Sequence, residues 1–114
     1  MKVKEIMSTN VHACRPDSDL AGISKLMWDY DCGFVPVVDA SGQLAGTVTD
    51  RDICVATATR RRLPEHISAA EVMSTPVRAV LADDTVSAAL ETMKKFQLRR
   101  LPVIDEFGHL RGVL

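Results

Sequence analysis

Met7-Ser8-Thr9 recurs as Met73-Ser74-Thr75, and the offset of 66 residues between them holds without a gap to the end of the 114-residue chain. Val11 maps onto Val77, Asp17 onto Asp83, Met27 onto Met93, Pro36-Val37 onto Pro102-Val103 and Asp39 onto Asp105. Gly42, Leu44 and Gly46 map onto Gly108, Leu110 and Gly112. Residues 1–48 set against 67–114 share roughly fourteen identities, well above coincidence for an ungapped register, so the chain is a duplication. A copy this short buries too little surface to be stable alone, and the two must share a core. With 46% hydrophobic and 25% charged residues the chain has the material for packing and no signature of disorder.

Each copy reads as the same succession of elements. A lead-in (Val3 to Met7; Ala69 to Met73) precedes a brief strand (Val11 to Cys14; Val77 to Val80) and a turn rich in Pro and Asp. Leu20, Ile23, Met27 and Tyr30, like Val86, Ala89, Met93 and Phe96, recur every three or four residues, which predicts one core-facing helix per copy. Asp17, Ser18 and Asp19, and Asp83, Asp84 and Thr85, supply the caps and acidic first turns of these helices. Gly33 is expected to end the first of them in the left-handed conformation. Phe34 to Val38 and Leu44 to Thr49, two apolar runs around Asp39-Ala40-Ser41-Gly42, predict a β-hairpin, repeated from Arg100 to Leu114. Asp50 to Thr59 predicts a second helix, and Arg60-Arg61-Arg62-Leu63-Pro64 a linker. The order strand, helix, strand, strand, helix gives an α+β fold, with a first module at 1–59, a linker at 60–66 and a second module at 67–114 that stops before its last helix.

Charge and composition exclude several classes. Fourteen basic against 15 acidic side chains leave a net charge of -1 and no basic field for nucleic acid. No apolar run approaches the roughly 20 residues that span a bilayer. The start, Met1-Lys2-Val3-Lys4-Glu5, has no apolar stretch behind its lysines, so the chain is read as unexported and cytoplasmic, away from membranes. Cys14, Cys32 and Cys54 are odd in number and lack C-x-x-C spacing, which reads as reduced thiols rather than disulfides or zinc ligands. His12, His66 and His109 have no metal-ligand spacing and are read as solvent-facing. No Ser-His-Asp, Cys-His or paired-carboxylate arrangement stands out, so the chain is expected to be no enzyme and to require no cofactor or metal.

The lead-in Glu5-Ile6-Met7-Ser8-Thr9, the strand Phe34-Val35-Pro36-Val37-Val38-Asp39, the turn Ala40-Ser41-Gly42 and the run Gly46 to Ile53, in that order and inside a repeat, resemble the cystathionine-β-synthase (CBS) domain family. The resemblance covers essentially the whole chain. It implies a tandem CBS-domain pair, a Bateman module, packed sheet to sheet about a pseudo-two-fold axis. It further implies clefts between the modules that take adenosine derivatives such as AMP, ADP, ATP or S-adenosylmethionine, and a homodimer formed through helices.

The family's ribose motif, Thr or Ser followed three positions later by Asp, falls on Thr49 and Asp52. A carboxylate offers two acceptor oxygens to the two donors of a ribose 2′,3′-diol. The same spacing is a helix-capping pattern, and capping and binding can coexist. Thr49 is expected where strand gives way to helix, so that its hydroxyl and the first free N–H groups form an anion site for a phosphate, with Arg51 as a mobile positive charge. Pro36 removes one strand N–H and is expected to leave the backbone of Phe34 and Val35 free to read the edge of a base. The resemblance adds Ile6, Met7 and Val11 as wall residues; for each apolar side chain, plain core packing is the competing reading. The counterparts of Thr49 and Asp52 fall beyond Leu114, so only the first site is expected to be complete. Arg60-Arg61-Arg62 reads as a solvated run. Arg99-Arg100 stands where the first copy has Gly33-Phe34, and Trp28 is expected to be partly buried or at a dimer contact.

The expected function is a regulatory sensor that binds an adenosine-containing small molecule. The alternative is a structural or dimerisation module without nucleotide. A regulatory insert of an enzyme such as a nucleotide dehydrogenase is disfavoured, because no barrel or catalytic segment surrounds the pair.

Overall fold

Two equivalent helices organise the chain, which the computed structural model describes over all residues 1–114. Helix α1 spans Leu20–Tyr30, and the Asp19 carboxylate caps it by accepting from the Gly22 N–H at 2.8 Å. Leu20, Ile23 and Met27 are buried, as the spacing predicts. Tyr30 is not: it sits in the last turn, past the end of the core, 57% exposed and stacked on the His12 ring at 3.5 Å. The left-handed residue that ends α1 is Asp31, at φ 50°, and not Gly33. Gly33 serves space instead, since a Cβ there would lie 2.9 Å from Asp50 Oδ2.

After α1 come strands β1 (Phe34–Val38) and β2 (Leu44–Thr49), which pair with each other, and helix α2 (Asp50–Arg60). The strand expected over Val11 to Cys14 reduces to a single parallel bridge between Cys14 and Val37. Its continuation is cut off because the Arg15 N–H turns to Ser18 Oγ, 2.9 Å away, ahead of Pro16. The second copy supplies helix α3 (Ala69–Val72), strand β3 (Val80–Leu81), helix α4 (Val86–Phe96) and strands β4 (Pro102–Ile104) and β5 (Leu110–Val113). β3 pairs in parallel with β4, and β4 antiparallel with β5. α4 ends on left-handed Gln97, the repeat equivalent of Asp31.

The packing units differ from the sequence copies. One unit holds Met1–Val11, Gly42–Leu44 and Arg78–Leu114; the other holds His12–Ser41 and Ala45–Val77. The lead-in of each copy therefore packs with the helix and strands of the other. In the second of these units the Leu20 N–H donates to the Ile67 carbonyl at 2.9 Å and the Ser74 N–H to the Thr47 carbonyl at 2.9 Å. The first makes the same bonds 66 residues displaced, from the Val86 N–H to Met1 at 3.0 Å and from the Ser8 N–H to Val113 at 2.9 Å. Each unit has its own core: Leu20, Ile23, Val35, Val37, Val48 and Ile67 in one, Val3, Val80, Ala89, Leu101 and Val103 in the other. Ile67 and Val3, both fully buried, are the exchanged pieces, each contributing about 1.5–3 kcal/mol by burial.

The arginine run is exposed, as expected of a solvated run, and two of its members are also paired. Arg62 Nη1 lies 2.9 Å and Arg60 Nη1 3.6 Å from Glu71 Oε1. Glu71 also closes a capping box on α3 by accepting from the Ser68 N–H at 2.8 Å. That N–H, and then the Arg62 guanidinium, hold its carboxyl down at about 2.

Candidate nucleotide site

β2 runs directly into α2, so Thr49 is both the last strand residue and the helix N-cap. Its Oγ1 accepts from the Asp52 N–H at 3.1 Å, and Asp52 Oδ2 accepts from the Thr49 N–H at 2.9 Å. The capping box expected as one of the two readings is therefore formed. It uses one carboxylate oxygen; Asp52 Oδ1 has no hydrogen bond, and the Thr49 hydroxyl keeps its proton to donate. Both residues are half-buried. The box and a ribose contact thus draw on different atoms of the same pair.

The expected phosphate pocket at this helix start is not there. The Asp50 N–H donates to the Gly33 carbonyl at 3.1 Å, the Arg51 N–H to Asp50 Oδ1 at 2.8 Å, and the Asp52 N–H to Thr49. The first-turn donors are all used, and two carboxylates, Asp50 and Asp52, occupy the positive end of the helix. Charge on the first turn already complements the dipole, which removes the reason for an anion to settle there. Arg51, exposed and without an ion pair, is the cation beside this site.

Next to Asp52, α2 and α3 leave an open groove of about 360 Å³ whose walls include Val55, Ala56 and Thr59 on one side and Glu71 and Val72 on the other. Of the strand residues, Val35 and Pro36 are buried and Phe34 half-buried. Val35 is part of the core, so its side chain is spent on packing. The Pro36 carbonyl accepts from the Cys14 N–H at 2.9 Å. Ile6, Met7 and Val11 belong to the other unit, where Met7 packs on Gly112 and Ile6 is exposed. The lead-in that lies against β2 in the unit of Thr49 is Met73-Ser74: Met73 covers Gly46, and Ser74 bridges Thr47. Sequence reasoning missed these two. The signal was present in their identity with Met7-Ser8, but a repeat does not say which copy's lead-in meets which copy's strand.

Cys14 is buried, and burial pushes its thiol up to about 11; Cys32 is half-buried and Cys54 exposed, all three free. No group of three or more His, Cys, Asp or Glu side chains is placed to hold a metal ion, and no helix is long and apolar enough to cross a membrane. His12 and His109 are half-buried rather than free in solvent, while His66 is exposed. Trp28 is 86% exposed.

A family model for the CBS domain matches residues 3–58 and again residues 69–114. Inosine-5′-monophosphate dehydrogenase of Mycobacterium leprae is 35% identical over 109 residues, 95% of this chain but only 20% of the dehydrogenase. The CBS domain-containing protein YhcV of Bacillus subtilis is 34% identical over 112 residues, 98% of this chain and 78% of that protein. Among solved structures, Hypoxic Response Protein I with two coordinated zinc ions superposes with a TM-score of 0.91 at 27% identity, covering 100% of this chain and 92% of that one. The CBS domain pair of protein MJ0100, in complex with 5′-methylthioadenosine and S-adenosyl-L-methionine, superposes with a TM-score of 0.89 at 24% identity, covering 100% and 88%. A pair of this kind is a regulatory module rather than a catalytic one. Two family matches at the offset of the internal repeat, on a fold shared along the whole chain, establish that this protein belongs to the CBS domain family as a tandem pair.

Proposed function

We propose that the chain is a sensor that binds an adenosine-containing small molecule through the Thr49–Asp52 pair. The observation that carries the reading is Asp52 Oδ1: the carboxylate oxygen of a half-buried residue that the capping box, which occupies only Oδ2, leaves open to accept from a ligand. A ribose 2′,3′-diol supplies the two donors this carboxylate can still accept, and charge-assisted bonds of that kind are about twice as strong as neutral ones. The Thr49 hydroxyl donates to the same ligand, and the backbone of Phe34 and Val35, on the neighbouring strand beside Pro36, is the reader of the base. Adenosine ligands in the related pair of MJ0100 support this choice of ligand class. Because the α2 start holds no free N–H, a phosphate on the ligand is met by the Arg51 side chain and not by the helix.

Sensing requires that the ligand favour one arrangement of the protein over another, so that occupancy is passed to a partner or a fused domain. A second reading, a structural module that takes no nucleotide, draws on the closed capping box, which accounts for the pairing of Thr49 with Asp52 by helix stability alone.

Thermal unfolding of the chain with AMP, ADP, ATP, S-adenosylmethionine, 5′-methylthioadenosine and NAD separates the two. A ligand at 100 times its dissociation constant adds about 2.7 kcal/mol to native stability, a shift of several degrees. No shift with any of them at millimolar concentration, in a protein whose fold is intact by circular dichroism, overturns the sensor reading.

A further inference from the structure

Asp52, Val55, Ala56 and Thr59 follow one another at spacings of three, one and three, which puts them on one face of α2. That face is one wall of the groove of about 360 Å³, and Glu71 and Val72 on α3 belong to the other. Asp52 and Thr59 lie about two helical turns apart, a rise of roughly 10 Å. The open carboxylate oxygen of Asp52 therefore stands at one end of a groove with an apolar middle, Val55, Ala56 and Val72. Thr59, Arg60 and Glu71 form the far end, which a ribose at Asp52 leaves unused.

The α2 wall has no spare donor between Arg51 and Arg60. Its interior N–H groups are bonded within the helix, and the Thr59 hydroxyl donates to the Val55 carbonyl at 2.7 Å, so that its oxygen is left only to accept. The far end carries both signs of charge: Arg60 Nη1 from α2 lies 3.6 Å from Glu71 Oε1 on α3. Arg60 otherwise gives one bond, from Nη2 to the Glu71 carbonyl at 3.0 Å, and keeps donors for a ligand. The Glu71 carboxylate accepts from the Ser68 N–H, the Ser68 hydroxyl and Arg62, which leaves one of its about four acceptor positions. A polyphosphate chain laid along this groove finds no donor over its apolar middle and meets a carboxylate at its end. An α-amino-acid head is complementary to the same end: its ammonium donates to Thr59 Oγ1 and Glu71, and its carboxylate accepts from Arg60.

We infer that the groove is the second half of the adenosine site and selects a ligand whose 5′ carbon carries an amino-acid tail, an adenosyl thioether or sulfonium, over a nucleoside di- or triphosphate. This selection rests on the ribose contact proposed for Thr49 and Asp52. The methylenes of the tail lie over Val55, Ala56 and Val72, and Thr59, Arg60 and Glu71 hold its head. Arg51, at the near rim, still meets a single phosphate, so it is the longer phosphate chains that the groove turns away.

Isothermal titration with 5′-methylthioadenosine, S-adenosylhomocysteine and ATP tests this. The first two are neutral thioethers, and only the second carries the amino-acid head. S-adenosylhomocysteine should bind at least roughly tenfold more tightly than either of the others. Glu71→Gln keeps an oxygen for the Ser68 N–H, and Thr59→Val keeps the shape of an exposed side chain. Each should weaken S-adenosylhomocysteine by at least about fivefold and leave 5′-methylthioadenosine within about twofold. If none of the three compounds binds to the folded chain, the adenosine reading falls and the groove assignment with it. If 5′-methylthioadenosine binds, three results overturn the groove assignment alone: a head that adds less than about threefold, ATP as tight as S-adenosylhomocysteine, or variants that weaken both thioethers alike.

Discussion

Replacing Asp52 separates what the helix needs from what a ligand needs. The carboxylate does one structural job, accepting the Thr49 N–H at 2.9 Å, and Thr49 in turn accepts the Asp52 N–H. Asp52→Ala removes the first bond and leaves the second, which is backbone to hydroxyl. The loss is that of half a capping box, about 1 kcal/mol, or about 4 °C in unfolding temperature for a chain of this size. The ligand loses more, because a hydrogen bond to a charged group is worth about 1.5–3 kcal/mol, so affinity should fall roughly 10- to 100-fold. Asp52→Asn keeps an oxygen to accept from the Thr49 N–H but no charge, so it should retain most of the stability while still losing most of the binding. Isothermal titration with the ligand found by thermal shift, together with urea unfolding of the three proteins, reads both quantities. An Asn variant that binds within twofold of wild type refutes the charge-assisted ribose contact. An Ala variant that loses more than about 3 kcal/mol refutes the view that the structural role of Asp52 is confined to the capping box.

Two further outcomes follow from the same geometry. Glu71 is held down to about 2 by the Ser68 N–H and Arg62, so its charged form is favoured in the folded state; the stability it contributes is present above the unfolded carboxylate range near pH 4.5 and is lost as pH falls toward 2. Glu71→Gln should flatten that part of the stability–pH curve measured by urea unfolding at a series of pH values, and an unchanged slope would show that the pairs with Arg60 and Arg62 are without weight. Gly46 and Gly112 are repeat equivalents, but a Cβ at Gly112 meets the Ser8 carbonyl oxygen at 2.7 Å, whereas at Gly46 it meets the Met73 side chain at 2.8 Å. Gly112→Ala should therefore cost more than Gly46→Ala, within a range of about 1–3 kcal/mol for overpacking, since backbone cannot yield as a thioether can; the reverse order in chemical unfolding would refute the assignment.

Much of this fold was legible because period and capping are local. Leu20, Ile23 and Met27 announce α1, Asp19 and Thr85 cap the starts of α1 and α4, and the glycine turns at Gly42 and Gly108 adopt the positive φ of hairpin turns, 86° and 81°. Errors came where tertiary context overrides a local rule. Tyr30 continues the apolar stripe but lies beyond the core, and so stacks on His12 instead of being buried. Gly33 is the residue that most readily turns left-handed, yet Asp31 does so, because Gly33 is taken up by the close approach of Asp50. The phosphate expectation failed for a related reason. A helix start is an anion site only while its N–H groups are free, and Gly33, Asp50 and Thr49 had already claimed them.

The exchange of lead-ins bears on how a bound ligand is felt. Thr49 ends a strand whose position is fixed on one side by Met73 over Gly46 and by the Ser74 bridge to Thr47. These residues come from the second copy of the repeat, and the chain that leaves them reaches Arg78, where the other unit resumes, within four residues of Ser74. In the proposed sensor, a ligand held by Thr49 and Asp52 would act on a strand packed against a segment covalently continuous with the second copy's own strand and helix. The counterpart segment, Met7-Ser8 on Gly112 and Val113, ties the first copy's start to the second copy's last strand in the same way. Close-packed contacts of this kind are displaced as a set rather than stretched one by one, so in the proposed sensor a hydrogen-bonding event at the Thr49 cap would be carried first into the second copy's lead-in, which packs on the same strand.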